Sequence, residues 1–254
     1  MNLYFAENLS QNYKSQSQKI RVMSEQWMAE NMFCPCCGHD VLVHLKNNRP
    51  VADFYCPQCH NIFELKSTAK KIGKKIVDGT YNTMIERITS NTNPSLFVLA
   101  YQNNAVLNLK FIPKYFFVPE IVEKRKALPP TAKRAGWIGC NILYDKIPSQ
   151  GKISIIENSL LHDKTQIITA YKRSQILNFS NLAQRGWLFD IINCINMIKT
   201  DRFSLPEIYR FSDLLAQKHI HNNNIQAKIR QQLQVLRDKG FIQFLGRGQY
   251  KKLY

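Results

Sequence analysis

Apolar positions change their period along this chain, and the changes predict its elements. Ser95-Leu-Phe-Val-Leu-Ala-Tyr101 and Ala105-Val-Leu-Asn-Leu-Lys-Phe-Ile112 flank the turn residues Gln102-Asn103-Asn104 and predict two strands joined tightly. Lys152-Ile-Ser-Ile-Ile156 predicts a further strand. Residues 1–33 read as helical, with a start at Ser24-Glu-Gln-Trp27 and with Trp27 and Met28 on the apolar face. Asp78 to Ser90 predicts a helix turning Tyr81, Met84, Ile85 and Ile88 inward. Between 113 and 150, Pro113, Pro119, Pro129, Pro130 and Pro148 interrupt any long element, so loops are expected there. Strands interleaved with helices predict an α/β domain.

The pattern turns helical near residue 183. Trp187, Leu188, Ile191, Ile192, Ile195 and Ile198 recur at helical spacing, and Ser204-Leu-Pro206-Glu207 is a capping box with an early proline, so a second helix starts there. Ile225, Ile229, Leu233 and Leu236 form the buried stripe of a third helix, which Gly240 closes. Phe241–Leu245 and Gln249–Leu253 then flank Gly246-Arg247-Gly248 as a basic hairpin. Three helices and a hairpin make a winged helix, whose third helix enters the major groove of DNA. The polar stretch 163–184 reads as a linker, giving two domains, 1–182 and 183–254.

Charge narrows the partners. The net charge is +17 over 254 residues. Residues 1–182 carry 23 Lys and Arg against 13 Asp and Glu, and residues 183–254 carry 12 against 5, so both parts are basic. A folded basic chain of this kind faces nucleic acid first and anionic membrane or ribosome surfaces second. No apolar run approaches the length of a membrane span, no signal peptide is visible, and seven cysteines without a disulfide framework fit the cytoplasm.

Candidate chemistry is concentrated in residues 34–66. Cys34-Pro-Cys-Cys37 and Cys56-Pro-Gln-Cys59 are two Cys-x2-Cys knuckles separated by 18 residues, a spacing that sets four thiolates around a structural Zn²⁺. Cys36 is the odd thiol. Threaded through the knuckles are Asp53 and Phe63-Glu64-Leu65-Lys66. In a strand, Glu64 and Lys66 share a face and Leu65 points to the core. Pairing of residues 50–55 with 61–66 brings Asp53 close to Glu64. Two carboxylates and an ammonium can then hold Mg²⁺ and position a metal-activated water. The plainer alternative is a hairpin with a charged solvent face. Just downstream, Lys70, Lys71, Lys74 and Lys75 suit the backbone of a nucleic acid or, equally, a solvated loop.

Other side chains point to DNA. Trp137, between Gly136 and Gly139 and preceded by Lys133 and Arg134, is either core or an aromatic wall able to meet a base. Opposite the stripe of the third helix lie Asn223, Ala227, Arg230, Gln231 and Gln234, residue types suited to G, A and T; Arg247 tips the hairpin.

Asn48-Arg-Pro-Val-Ala-Asp-Phe-Tyr-Cys56 with Phe63-Glu-Leu-Lys-Ser67 resembles the active-site stretch of the DpnI-type restriction endonucleases, as do Ala132–Asn141 and Lys228–Asp238. The resemblance spans the whole chain. Pro50 departs from the superfamily's generic form, standing three residues before Asp53. The resemblance implies an α/β PD-(D/E)xK nuclease core with a four-cysteine zinc knuckle and a C-terminal winged helix. It implies a type II restriction endonuclease that cuts double-stranded DNA at adenine-methylated GATC. Asp53 and Glu64 would hold Mg²⁺, Lys66 would act on the attacking water, and Trp137 would help to sense methylation. A monomer is expected. Two other classes stay open: a zinc-ribbon and winged-helix regulator without catalysis, from which only Asp53, Glu64 and Lys66 separate this reading, and a nuclease of damaged or structured nucleic acid.

Overall fold

The computed structural model describes residues 1–45, 52–179 and 181–254. Asn48, Arg49, Pro50 and Val51, quoted above for the resemblance, lie outside the described residues, as does the start of the 50–55 strand. Two compact units follow one another, Met1–Asn178 and Phe179–Tyr254.

The first unit is mixed α/β. Helix α1 (Gln16–Asn31) starts well before Ser24, which lies mid-helix and turns inward. Its hydroxyl donates to the carbonyl of Arg21 at 3.1 Å and accepts from Ser67 at 2.9 Å, tying the helix to a strand rather than opening it. Trp27 and Met28 are buried, as expected. The short strands β1 (Val43–His44) and β2 (Phe54–Tyr55) lead into the long β3 (Ile62–Ala69). Next come β4 (Lys75–Thr80) and α2 (Tyr81–Thr89). The expected helix from Asp78 is therefore corrected. Residues 78–80 finish a strand, and helix begins only at Tyr81.

Strands β5 (Ser95–Gln102) and β6 (Ala105–Ile112) form the expected hairpin, with Asn103 and Asn104 both at positive φ in its two-residue turn. The proline-rich region holds short 3-10 turns and two strands that its composition hid, β7 (Val122–Lys124) and β8 (Gly139–Leu143). After them come β9 (Ile153–Glu157), β10 (Leu160–Leu161) and helix α3 (Lys164–Ser174). Helix α3 corrects the linker expected over 163–184: Asp163 caps it by accepting from the Gln166 N–H at 3.0 Å, and Ile167 and Tyr171 are buried.

Seven strands make one sheet in the order β1-β2-β3-β5-β6-β9-β10, with β3 and β5 parallel and the other pairs antiparallel. A second sheet has the order β4-β8-β7. The core of the large sheet is a cluster of Phe63, Phe97 and Phe111, whose ring centroids lie 5.2–6.0 Å apart. Phe63 therefore anchors β3 inward. Leu65, expected in the core, is only half-buried.

The second unit holds α4 (Leu182–Met197), β11 (Arg202–Ser204), α5 (Leu205–Tyr209), α6 (Ser212–Lys218), α7 (Ile225–Asp238), β12 (Ile242–Gly246) and β13 (Gln249–Lys252). The Ser204–Glu207 capping box forms in both directions. The second helix of the motif is broken into α5 and α6, and β11 joins the hairpin in the order β11-β13-β12. Ile229, Leu233 and Leu236 are fully buried, Ile225 is half-buried, and Gly240 stops α7 at φ +69°. This is a helix-turn-helix unit with a wing.

Candidate active site and four-cysteine centre

The two knuckles repeat one backbone device. Cys34 N–H donates to His39 O and Gly38 N–H to Cys34 O, each at 2.8 Å; Cys56 N–H donates to Asn61 O and His60 N–H to Cys56 O, each at 2.9 Å. Gly38 and His60 complete these turns in the left-handed region, at φ +84° and +57°. The turns set Cys34 Sγ 3.6 Å from Cys59 Sγ and Cys37 Sγ 3.6 Å from Cys56 Sγ, with all four sulfurs within 4.8 Å of one another. A closed set of four soft donors can hold zinc. Cys36 is buried outside the four. Burial would raise the Cys59 thiol, but hydrogen bonds from Asn61 (Nδ2 to Sγ, 3.2 Å) and the neighbouring thiols bring it to about 7.

The second knuckle joins β2 to β3, which pair through Phe54↔Phe63 and Tyr55↔Ile62. This register fixes Asp53. Its N–H donates to Phe63 O at 2.8 Å, and its Oδ2 accepts the Leu65 N–H at 2.7 Å. Glu64 and Lys66, two residues apart on β3, share a face, with Lys66 Nζ 2.6 Å from Glu64 Oε1. The same ammonium lies 2.7 Å from Asp78 Oδ1 on β4. Asp78 is a partner the sequence reading missed, since it assigned that residue to a helix. The strand was detectable: Ile76 and Asp78 turn inward while Lys75 and Val77 face out, and Gly79 sits badly inside a helix.

Glu25, on α1, was also missed. It is buried, 3.2 Å from His44 Nε2 and 3.4 Å from Arg21 Nε. Burial raises its carboxyl, Arg21 opposes this, and the charge of Asp53 raises it further.

The electrostatics around Glu64 are set by desolvation and crowding. Burial pushes Glu64 up; Lys66 pulls it down, Asp78 and Asp53 push it up again, and it settles at about 7. Burial would lower Lys66, but Glu64 and Asp78 more than reverse this and hold it well above the usual lysine range. Of the groups that set the Glu64 carboxyl, Lys66 is the cation and Asp78 and Asp53 are the anions.

Trp137 sits apart from the core, half-buried. Its Nε1–H donates to Thr80 Oγ1 at 3.1 Å, at the end of β4, and the Arg134 guanidinium lies over the ring at 4.8 Å. The ring packs so closely on Gly139 that a Cβ there would stand 2.6 Å from the indole. Lys133 and Arg134 are exposed, as are Lys70, Lys71, Lys74 and Lys75, the last paired with Glu123 at 2.6 Å.

On α7, Asn223 just before the helix and Ala227, Arg230, Gln231 and Gln234 are all exposed, as is Arg247 at the wing tip. Arg230 Nη1 donates to Tyr209 Oη at 2.7 Å, and Lys228 Nζ to Gln231 Oε1 at 2.8 Å.

The profile of the Dam-replacing family, DpnI, matches residues 1–180, and that of the Dam-replacing HTH domain, DpnI_C, matches residues 183–252. This chain belongs to the DpnI family. Membership of the DpnI family implies a methyl-dependent restriction nuclease with a helix-turn-helix domain, and hence a DNA partner. No helix among the described residues is long and apolar enough to cross a membrane.

Proposed function

We propose that this chain is a type II restriction endonuclease of PD-(D/E)xK type, cleaving double-stranded DNA at adenine-methylated GATC by Mg²⁺-dependent hydrolysis. In this reading residues 1–182 are the catalytic domain, with structural Zn²⁺ at Cys34, Cys37, Cys56 and Cys59. Residues 183–254 are a winged-helix reader, and the enzyme acts as a cytoplasmic monomer. The observation that carries the proposal is the seating of Asp53, just before β2, on the Leu65 N–H of β3, between Glu64 and the half-buried Lys66, whose ammonium contacts Glu64. A transcription regulator has no use for carboxylates crowded together in a partly buried place, which is costly to fold unless it serves a ligand.

Hard carboxylate oxygens set close together fit a divalent cation, and Asp53 and Glu64 are the residues that would hold it. Mg²⁺, when bound, supplies a Lewis acid and an acidified water. The chain's own work is positioning. The Leu65 N–H fixes one oxygen of Asp53. The Lys66 ammonium orients the water and steadies charge developing on the phosphate. The water oxygen bonds to phosphorus as the P–O3′ bond breaks, leaving a 5′-phosphate and a 3′-hydroxyl.

Trp137 with Lys133 and Arg134, and Asn223, Ala227, Arg230, Gln231, Gln234 and Arg247, would contact DNA. An indole face or an alanine methyl suits the N-methyl group, amides suit adenine, and guanidinium suits guanine. The test is one plasmid prepared with and without adenine methylation, incubated in Mg²⁺ or EDTA. Cutting at GATC only in the methylated, Mg²⁺-containing sample is expected. Cutting of both preparations would defeat the specificity assigned here, and cutting in EDTA the metal dependence.

A further inference from the structure

Lys66 has two anionic partners, on different sheets. Glu64 belongs to β3 in the large sheet and Asp78 to β4 in the small one, and their oxygens lie 2.6 and 2.7 Å from the one ammonium. We propose that Asp78 is the positioning residue that keeps Lys66 in place when Glu64 gives its carboxylate to a divalent cation. The inference rests on the nuclease reading above.

Both contacts have the length of charge-assisted hydrogen bonds, and an ammonium has three donors to share between them. A cation arriving at Glu64 repels that ammonium and competes with it for the same oxygen. With Glu64 as its only anchor, Lys66 would either block the cation or swing away to solvent, and the water would lose its orienting group. Asp78 removes the conflict because it is fixed independently of Glu64. It pairs with Cys140 of β8 in the ladder, its Oδ1 accepts the Gly79 N–H at 2.6 Å, and its side chain is only 7% exposed. A strand two residues long from this anchor reaches Thr80, which holds the indole of Trp137. The same strand thus fixes the ammonium and the aromatic side chain proposed to meet DNA.

The experiment titrates Ca²⁺, by calorimetry, into the full-length wild type, D53A, D78N, K66M and the double variant D78N/K66M, with thermal unfolding as a folding check. If the wild type binds no more Ca²⁺ than D53A, the metal site is absent, and the nuclease reading falls together with this inference. If it binds more, D78N is expected to weaken that site by about 10-fold or more, the usual size of such a supporting effect. D78N/K66M should return to the affinity of K66M, because the competing ammonium is gone. Unchanged affinity in D78N overturns the inference. So does weakening that K66M fails to relieve, which would make Asp78 a metal ligand. In Mg²⁺, D78N should lower kcat with little change in KM, and D78E should recover most of it; a fall in KM-dependent binding alone would also overturn the inference. If D78N does not fold, the D78E titration and the double variant, which removes both charges of the pair together, carry the same comparison.

Discussion

Glu64 shows how burial can set a single carboxylate against the fold that holds it. Its carboxyl titrates near 7 in the fold, chiefly through burial, against 4.5 for an ordinary glutamate. The folded state therefore binds a proton more tightly than the unfolded one. The stability that Glu64 contributes is complete below about pH 4.5 and is lost as the pH rises to about 7. Glu64→Gln should accordingly raise the melting temperature of metal-free protein at pH 8 and leave it nearly unchanged at pH 4.5. Equal melting temperatures at pH 8 would mean the carboxylate is not under this strain. On the proposed mechanism, Asp53→Ala or Glu64→Ala should reduce cleavage by on the order of 10³-fold or more while DNA binding survives, because the several kcal/mol of transition-state stabilisation that a bound cation would supply is lost. Wild-type turnover in either would remove these residues from the mechanism. The nearness of Asp53, Glu64 and Lys66 was legible because one short hairpin sets their separations. Asp78 and Glu25 were not: they come from another sheet and from α1, and tertiary contact leaves no trace in local spacing.

At the scale of elements, the four-cysteine centre is the device that shapes the hairpin carrying Asp53 and Glu64. The chain returns from the second knuckle straight into β3, so loosening Cys56 or Cys59 should disturb the register that seats Asp53. Cys56→Ser or Cys59→Ser is expected to release zinc and destabilise the first unit by several kcal/mol, since metal binding in such sites is folding free energy. Metal analysis together with thermal unfolding checks this, and a stable, active, zinc-free variant would exclude the site. Cys36→Ser should retain zinc.

The same scale explains the misread elements. Helix α3 looked like linker because only Ile167, Tyr171 and Ser174 are buried among its polar residues, although Asp163 and Gln166 already stood at capping distance. Ser24 looked like a helix start because serine caps helices, yet its hydroxyl serves Ser67 across the packing interface. The β5–β6 hairpin and α7 were readable, each having a clean period and strong terminators.

For the molecule as a whole, the question is which unit reads the methyl group. Both units are basic, and each presents side chains suited to a base: Trp137 in the first, Ala227 and Gln231 in the second. The second unit has its own core, with Ile191, Ile195, Phe203, Ile208, Ile229, Leu233 and Leu236 almost wholly buried, so it can be studied alone. Its free face is already engaged within itself, since Arg230 is held by Tyr209 and Gln231 by Lys228. Base contacts must exchange for these bonds, which narrows the net gain. An apolar contact with one N-methyl group is worth about 1–3 kcal/mol. Isolated 179–254 should therefore prefer methylated over unmethylated GATC duplex by about 5- to 150-fold without cutting it. Its affinity should fall steeply with salt, as phosphate contacts require. Two such readings in succession multiply, and Trp137→Ala in the full chain should then erode cleavage selectivity while binding by 179–254 stays as it was. Fluorescence anisotropy on the two duplexes decides the matter. Equal affinities would assign the whole discrimination to the first unit and leave α7 as a sequence reader blind to methylation.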